Sequence, residues 1–393
     1  MKKLLIIGAS ILQVPAIKKA KEMGFYVGVI DYNPNAVGVP FADEFFCVST
    51  IDIEGVVKTA EGFRPDGIMT LATDMPMRSI AAACDKLGLP GITFDTAIKS
   101  TDKGEMIKCF EQNGVEHPWY YILTDASSVD EVVGKITYPC ISKPTDNSGS
   151  RGVMLIHNEQ ELREAVSYSS ENGRSGSVIV EEYMQGPEVS VEVIVSNGVP
   201  HVLQVTDKLT TGAPHFVEMG HSQPSRLAAD DLRKIRDLAS RAALAVGIKN
   251  GPAHVEIILT ENGPKMVELG ARMGGDCITT HLVPLSTGID MIEATIRIAC
   301  GENPDLEPKF RKGSAIRFLD APCGTITAIE GAEQAAKLES VREISFTKGV
   351  GDTVGEIGSS TDRAGFVIAQ ADDAAGAVEI CERAIETIKI GTE

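Results

Sequence analysis

The stretch AHVEIILTENGPKMVELGAR, residues 253–272, predicts a β-hairpin that carries an acidic residue on each strand. Two apolar runs flank a Glu-Asn-Gly turn, and Glu256 and Glu268 stand six residues either side of Asn262. Directly opposed residues of an antiparallel pair share one face, where like charges are destabilising unless a cation lies between them. Mg²⁺ is such a cation, because it takes one or two carboxylates together with phosphate oxygens. Solvated acids on an exposed sheet are the alternative, which these apolar neighbours disfavour: Val255, Ile257, Met266 and Val267.

Beyond the second strand the chain runs Gly-Ala-Arg-Met-Gly-Gly-Asp, residues 270–276. Glycines let a backbone approach a ligand closely, and the planar guanidinium of Arg272 suits bidentate contact with a carboxylate or phosphate. A structural salt bridge of Arg272 is the alternative.

Upstream, Lys143 ends an apolar strand and precedes a loop of small residues, 145–152. Such a loop can place an ammonium group and several backbone N–H groups around a triphosphate. It is not a Walker A loop, since Gly-Lys-Ser/Thr is absent. A surface lysine before a flexible hairpin would look similar.

A second upstream segment, residues 178–188, is a strand that becomes an exposed linker with Tyr183 and Met184 beside backbone amides. This combination can hold a flat purine base, and a nearby carboxylate can accept hydrogen bonds from ribose hydroxyls. An ordinary acidic loop between strands is the alternative.

The pattern of strand and helix signals along the chain predicts three structural units. Residues 1–95 alternate short apolar strands with helical periods, which predicts a parallel sheet covered by helices. Gly8 with Asp31 resembles a Rossmann fingerprint, but the second and third glycines are missing, so we favour a structural turn with substrate contacts as an option. Residues 96–310 contain antiparallel hairpins, one of them at Asn197-Gly198. Residues 311–393 predict a small α+β unit.

Composition excludes several classes of protein. The chain has 393 residues and a formal net charge of −18, with no basic stripe to bind nucleic acid. No apolar run approaches the roughly 18 residues that a membrane span requires, and we therefore expect a cytoplasmic protein. The eight cysteines are scattered without a CxxC pair, so we expect reduced, mostly buried thiols.

In their order and spacing these segments resemble the ATP-grasp superfamily. The resemblance implies an α/β and α+β architecture: an N-terminal Rossmann-like domain at 1–95, an ATP-grasp domain at 96–310 with a lid at about 118–185, and a small C-terminal α+β domain at 311–393. It implies ATP and Mg²⁺ as cofactors, with Mn²⁺ as an alternative ion. The residues implied for ATP are Lys103, Lys143, Ser148, Gly149, Ser150, Gly152, Glu181, Glu182, Tyr183, Met184 and Glu188. The pair implied for the metal is Glu256 and Glu268.

Within the superfamily the chain is most similar to the L-amino acid (dipeptide) ligases, with a further likeness to the carbamoyl-phosphate synthetase large chain. The segments that carry the ligase likeness are 216–221, 224–225, 254–256, 268–275 and 364–368. The likeness implies Arg272 and Lys208 as catalytic residues. The residues implied for the substrate are Glu218, His221, Gly274, Gly275 and Asp276.

The implied function is an ADP-forming carboxylate–amine ligase that acts through an acyl phosphate on a small carboxylate, with an amino acid as the expected substrate. One alternative is a carbamoyl-phosphate synthetase or purine-pathway relative that uses bicarbonate or formate. An alternative of another class is a non-catalytic nucleotide-binding regulatory protein. The sequence leaves a homodimer open.

We expect Asp276 to shape the amine or carboxylate pocket, because a carboxylate at this position can recognise an amino group. Asp276→Ala should therefore change the order of preference among amino acid substrates, measured as phosphate release. An unchanged order would contradict this role.

Overall fold

The computed structural model describes residues 1–147, 149, 151–213 and 215–393. The N-terminal third comprises β1 (Lys3–Ile7), α1 (Val14–Glu22), β2 (Tyr26–Asp31), β3 (Glu44–Cys47), α2 (Ile53–Phe63), β4 (Gly67–Met69), α3 (Met77–Leu87), α4 (Phe94–Lys99) and α5 (Lys103–Gln112). The lid region comprises β5 (Tyr120–Leu123), β6 (Cys140–Pro144), β7 (Met154–Ile156), α6 (Glu159–Glu171) and β8 (Val178–Glu182).

The described residues of the remaining chain add eleven strands and five α-helices. Its central part comprises β9 (Glu188–Ser196), β10 (Val199–Thr210), β11 (Glu218–Gln223), α7 (Ala229–Ala245), β12 (Gly251–Thr260), β13 (Gly263–Gly270), α8 (Val283–Thr287) and α9 (Met291–Ala299). The C-terminal part comprises β14 (Gly313–Leu319), β15 (Gly324–Glu330), α10 (Ala332–Ala336), β16 (Val341–Phe346), β17 (Thr353–Val354), β18 (Gly365–Ala371), α11 (Ala374–Thr387) and β19 (Lys389–Thr392).

The N-terminal sheet has the order β3-β2-β1-β4 and all its strands are parallel, as predicted. Strand β3 was missed, because its four residues are partly exposed and lack a long apolar run. The turn after β1 is structural: Gly8 has φ +106°, and Asp31 accepts a hydrogen bond from the N–H of Ala9 at 2.9 Å. The carboxylate of Asp31 thus supports the loop itself.

A four-stranded antiparallel sheet, β5-β8-β6-β7, forms the lid region with α6 packed against it. The core between sheet and helix contains Cys140, Ile156, Leu162 and Val166, all fully buried.

An eight-stranded sheet dominates the rest of the molecule, in the order β13-β12-β9-β10-β11-β14-β18-β16. Valines 189, 191, 193 and 195 of β9 all point to one face, where they pack in one core with Ile235 and Leu238 of α7. Because successive side chains of a strand alternate, the polar residues of β9 point to the opposite face. The sheet continues through the β11–β14 pair, across the boundary predicted at residue 311.

Both predicted hairpins are present. Asn197 and Gly198 have φ of 52° and 76°, as a type I′ turn requires. In the second hairpin Thr260 pairs with Gly263, so the turn is shorter than predicted.

A register shift next to Glu256 restores the predicted opposition of the two acidic residues. Continued from the turn, the register would pair Glu256 with Val267 and place Glu268 on the other face. Because the register shifts between Glu256 and Ile257, Glu256 instead pairs with Glu268. A β-bulge therefore places both carboxylates on one face.

Two findings concern the predictions made about membrane spans and about the cysteines. In the part of the chain that the structure describes, no helix has the length and apolar character needed to cross a membrane. All eight cysteines are free thiols, but the prediction that most are buried was wrong: four are buried, and Cys47 and Cys323 are exposed.

We predict that Gly186→Ala destabilises the fold by about 1–3 kcal/mol. Gly186 has φ +145°, and a Cβ there would lie 2.0 Å from the carbonyl oxygen of Leu259, which cannot move away without disturbing β12. The control is Gly62→Ala in α2, where a Cβ would meet nothing within 4 Å and helix propensity should improve. Melting temperatures of the two variants test the prediction, and equal values would contradict it.

Candidate active site

The polar face of the eight-stranded sheet, opposite α7, carries the predicted chemistry in rows of paired residues. In one row Glu268 of β13 pairs with Glu256 of β12, which pairs with Ser190 of β9. In the next row His254 pairs with Glu192. Directly paired residues share a face, so backbone register alone brings these acids together.

Lys208 lies at the centre of three carboxylates on this face. Its ammonium is 2.5 Å from Glu188, 3.3 Å from Glu256 and 3.4 Å from Glu218, and its side chain is 3% exposed. Burial alone lowers the pKa of Lys208, but the three carboxylates outweigh burial and raise the pKa well above its ordinary value. Lys208 is therefore a permanent cation.

Lys103, the first residue of α5, joins the lid to the acidic pair. Its ammonium is 2.9 Å from Glu268 and donates to the carbonyl of Asn147 at 2.7 Å. Lys143 is buried at the end of β6, 2.6 Å from Glu181. A narrow cleft is lined by both lysines and by Glu181 and Met266. The structure thus joins the acidic hairpin to the predicted phosphate lysines.

Arg272 makes a bidentate ion pair with Asp74, from the loop that follows β4. Its Nε and Nη2 each donate to the carboxylate at 2.9 Å. Burial lowers the pKa of Arg272, but the charge of Asp74 outweighs burial and raises the pKa. A Cβ at Gly270 would lie 2.8 Å from Asp74, so the glycine makes room for the pair. Asp74 was not predicted from the sequence, since nothing in its local pattern points to a partner 198 residues away.

His254 connects two acids of the polar face. Its Nδ1 is 2.6 Å from Glu192 and its Nε2 is 3.3 Å from Glu256. Burial lowers the pKa of His254, but Glu192 and Glu256 outweigh burial and raise it to about 9. Glu192 was also missed, because it stands in a valine-rich strand that reads as core.

Asp276 is held by Arg363, contributed by the segment before β18. Two nitrogens of Arg363 donate to the two carboxylate oxygens at 2.8 Å each, and His221 lies 3.4 Å from one of them. Burial raises the pKa of Asp276, but Arg363 and His221 outweigh burial and hold the pKa below its usual range. The guanidinium of Arg363 also stacks on Phe318 at 3.6 Å. Sequence reasoning did not find Arg363, which lies 87 residues from its partner.

The predicted adenine segment lies where β8 ends. Glu182 pairs with Lys265 of β13 at 2.7 Å, the ring of Tyr183 lies 6.5 Å from Phe216, and Met184 is buried. In the predicted flap, Gly149 and Gly152 both have positive φ, whereas Ser148 and Ser150 lie outside the described residues. Gly275 lies beside Ala72 of the loop after β4.

The donor set fits Mg²⁺ bound together with a nucleotide. Within the described residues, no group of three or more His, Cys, Asp or Glu side chains is arranged to hold a metal by itself. Glu256 and Glu268 offer carboxylate oxygens on one face, and Mg²⁺ typically takes one or two carboxylates and completes its shell with phosphates and water.

Two family models match the chain. The model described as "ATP-grasp domain" matches residues 136–280, and the model described as "L-amino acid ligase C-terminal domain 2" matches residues 317–393. The chain contains an ATP-grasp domain. The predicted fold is thereby confirmed.

Curated relatives of the chain include named ligases. It is 28% identical over 344 residues to the uncharacterized protein y4rH of Sinorhizobium fredii, covering 86% of this chain and 68% of that protein. It is 28% identical over 278 residues to the alanine–anticapsin ligase of Bacillus subtilis, covering 65% of this chain but only 58% of that protein. The ligase class predicted from the sequence agrees with the latter name.

Solved structures share the fold over the whole chain. The L-amino acid ligase of Bacillus licheniformis superposes with a TM-score of 0.87 at 21% identity, covering 100% of this chain and 99% of that one. Phosphoribosylglycinamide synthetase of Anaerococcus prevotii gives 0.82 at 25% identity, with both chains covered completely. A biotin carboxylase domain dimer from Hydrogenobacter thermophilus, solved with MgADP and bicarbonate, gives 0.79 at 20%, covering 100% of this chain and 91% of that one.

We predict that Arg363→Met destabilises the protein by about 1–3 kcal/mol at pH 7, because it leaves the partly buried carboxylate of Asp276 without its main partner. The pKa of Asp276 in the folded protein lies below its ordinary 3.8, so the pair stabilises the fold above that pH and its contribution is lost as the pH falls through the lower value. The loss caused by Arg363→Met should therefore shrink below about pH 4, where Asp276 can take up a proton.

Denaturant unfolding at pH 7 and at about pH 3 measures this effect. Arg383→Met, at an exposed arginine of α11, is the matched control and should change little at either pH. An equal loss for Arg363→Met at both pH values would contradict the role assigned to the pair.

Proposed function

We propose that this protein is an ATP-dependent ligase that activates the carboxylate of one amino acid as an acyl phosphate and joins it to the amine of a second amino acid. The observation that carries the proposal is the polar face, where Glu256 and Glu268 oppose each other between Lys103 and Lys208. A site built only for stability would not place two like charges directly opposite one another.

ATP would bind between the lid and the polar face. The linker Glu182–Met184 at the end of β8 would hold the base, and Glu188 would accept from the ribose. Lys143, at the cleft, and Lys103, at the N-terminus of α5, would contact the phosphates; a helix N-terminus also favours negative charge. The contact of Lys103 with the Asn147 carbonyl links phosphate binding to the position of the lid, whose loop 145–152 would exclude water.

Glu256 and Glu268 would hold Mg²⁺, with Mn²⁺ as an alternative, and the ion would neutralise charge on the triphosphate. In this structure the two carboxylates contact Lys208 and Lys103. In each of these ion pairs a phosphate oxygen can take the place of the glutamate as the partner of the lysine. The charge of each lysine therefore stays balanced when the nucleotide binds.

In the first step an oxygen of the substrate carboxylate attacks the γ-phosphorus, and ADP is displaced. In the second step the amine nitrogen attacks the acyl carbon, phosphate leaves, and the nitrogen loses a proton. Arg272 would stabilise the negative charge on the acyl oxygen, and Asp74 would orient its guanidinium. The N-terminal domain thus supports a residue of the ATP-grasp domain.

The amino acid site would lie around Glu218, His221 and Asp276, beside Gly274 and Gly275. Glu218 and Asp276 are each more than a quarter exposed, whereas Lys208 and Arg363 behind them are buried. The accessible surface of this pocket is therefore made by carboxylates. Such a surface favours substrates that carry an ammonium group.

One alternative has support of its own. The similarity to phosphoribosylglycinamide synthetase supports a purine-pathway ligase as the alternative. Phosphate release with magnesium, ATP and pairs of amino acids distinguishes the two. Release with amino acid pairs, but not with bicarbonate or formate, supports the proposal, and no release with any pair of amino acids contradicts it.

The cytoplasmic location and the homodimer remain predictions from the sequence.

We predict that Arg272→Ala lowers kcat by about 10²-fold or more while ATP binding changes little, since the guanidinium acts on charge that develops during the reaction. Phosphate release measures the first quantity, and calorimetric titration with the non-hydrolysable analogue AMP-PNP measures the second. Arg297→Ala on α9, away from the site, is the control. Turnover that survives in Arg272→Ala would refute the role.

A further inference from the structure

Glu192 is a fully buried carboxylate in the middle of the central sheet. Its side chain has no exposure to solvent, and its Oε1 lies 2.6 Å from Nδ1 of His254. Its other oxygen, Oε2, has no hydrogen-bond partner among the described residues. A buried charge with an unmatched oxygen is costly, and an apolar residue would pack at this position with less loss of stability. Its presence therefore points to a function.

The contact made by the second ring nitrogen of His254 indicates what this function is. Nε2 of His254 lies 3.3 Å from Oε1 of Glu256. With a carboxylate beside each nitrogen, the ring is hydrogen-bonded to Glu192 and ion-paired with Glu256, and it cannot rotate without losing a contact. Pairing between β12 and β9 places His254 directly opposite Glu192, so the backbone also fixes the arrangement.

Gly274 closes this arrangement from the side of the loop that follows β13. A Cβ at Gly274 would lie 2.5 Å from Nδ1 of His254 and 3.2 Å from Oε1 of Glu192. The backbone of this loop thus packs directly on the pair, which only a glycine allows.

The chain Glu192–His254–Glu256 leaves a single oxygen of Glu256 available. Oε1 is held by His254, whereas Oε2 faces Lys208 at 3.3 Å, a contact that can be exchanged. Mg²⁺ demands near-ideal octahedral geometry, so a carboxylate held in one orientation suits it better than one that rotates freely.

We propose that His254 and Glu192 are positioning residues that hold Glu256 so that it binds Mg²⁺ through Oε2 alone, and that they thereby set the affinity for magnesium-bound ATP. The inference rests on the proposed function, since it takes Glu256 as a metal ligand. It adds two residues that do not themselves touch the metal or the substrates.

Two substitutions of His254 separate positioning from packing. His254→Gln keeps a donor near the position of Nε2 and can still reach Glu256, whereas His254→Asn keeps a donor only near Nδ1, toward Glu192. Calorimetric titration with AMP-PNP, once with excess Mg²⁺ and once with EDTA, gives the factor by which Mg²⁺ strengthens nucleotide binding. This factor does not depend on turnover.

We expect the magnesium factor to fall at least tenfold in His254→Asn and clearly less in His254→Gln, with unchanged AMP-PNP binding in EDTA. His201→Asn, at an exposed histidine of β10, is the control and should keep the full factor. An unchanged factor in His254→Asn, or equal losses in the two His254 variants, would overturn the proposal.

Two further variants complete the test. If His254→Asn does not fold, Glu192→Gln decides: its amide keeps the shape but not the charge, and we expect the factor to fall at least threefold, while an unchanged factor overturns the proposal. Glu256→Gln tests the premise and should abolish most of the factor. If it does not, the metal site of the proposed function fails, which is distinct from a failure of the positioning residues alone.

Discussion

The structure of the site depends on one electrostatic constraint: two glutamates are opposed on the same face of a β-hairpin. Glu256 and Glu268 are direct partners across β12 and β13, so their charges cannot separate without breaking the sheet. The arrangement is stable only if cations approach from elsewhere. In this fold Lys103 approaches Glu268, while Lys208 and His254 approach Glu256.

These cations come from different parts of the chain, and this ties the parts together. Lys103 begins α5 and also contacts the lid loop, whereas Lys208 comes from the central sheet. The same principle extends outward from the acidic pair. Arg272 is paired with Asp74 of the N-terminal domain, and Asp276 with Arg363 of the C-terminal region. Each of the three regions therefore contributes a charged partner to one site.

In the part of the site proposed to bind amino acids, the cationic side chains are more deeply buried than the anionic ones. Lys208 and Arg363 are largely buried, while Glu188, Glu218 and Asp276 beside them remain more than a quarter exposed. Buried cations keep their carboxylates ionised by lowering the free energy of the charged form. A ligand that enters the site thus meets negative charge first, which favours metal ions and ammonium groups over free anions.

By itself the sequence determined the local elements and the acidic hairpin. Apolar periodicity located three of the four strands of the N-terminal sheet and most strands of the central sheet, though not the polar strand β11. Asn197-Gly198 predicted its turn, because such signals depend only on neighbouring residues. Short or partly exposed strands such as β3 escaped, since they lack that signal. The opposition of Glu256 and Glu268 was predicted correctly although the turn was not, because a bulge compensated for the shorter turn.

Only the tertiary structure decided which charges meet. Asp74, Glu192 and Arg363 lie 198, 62 and 87 residues from their partners, and no local pattern distinguishes them from other polar residues. Coulombic attraction and hydrogen bonding act over a few ångströms in space, whereas sequence patterns report only residues that are close along the chain. The identity of the acidic pair was therefore readable from the sequence, but the set of partners that neutralises and orients it was created by folding.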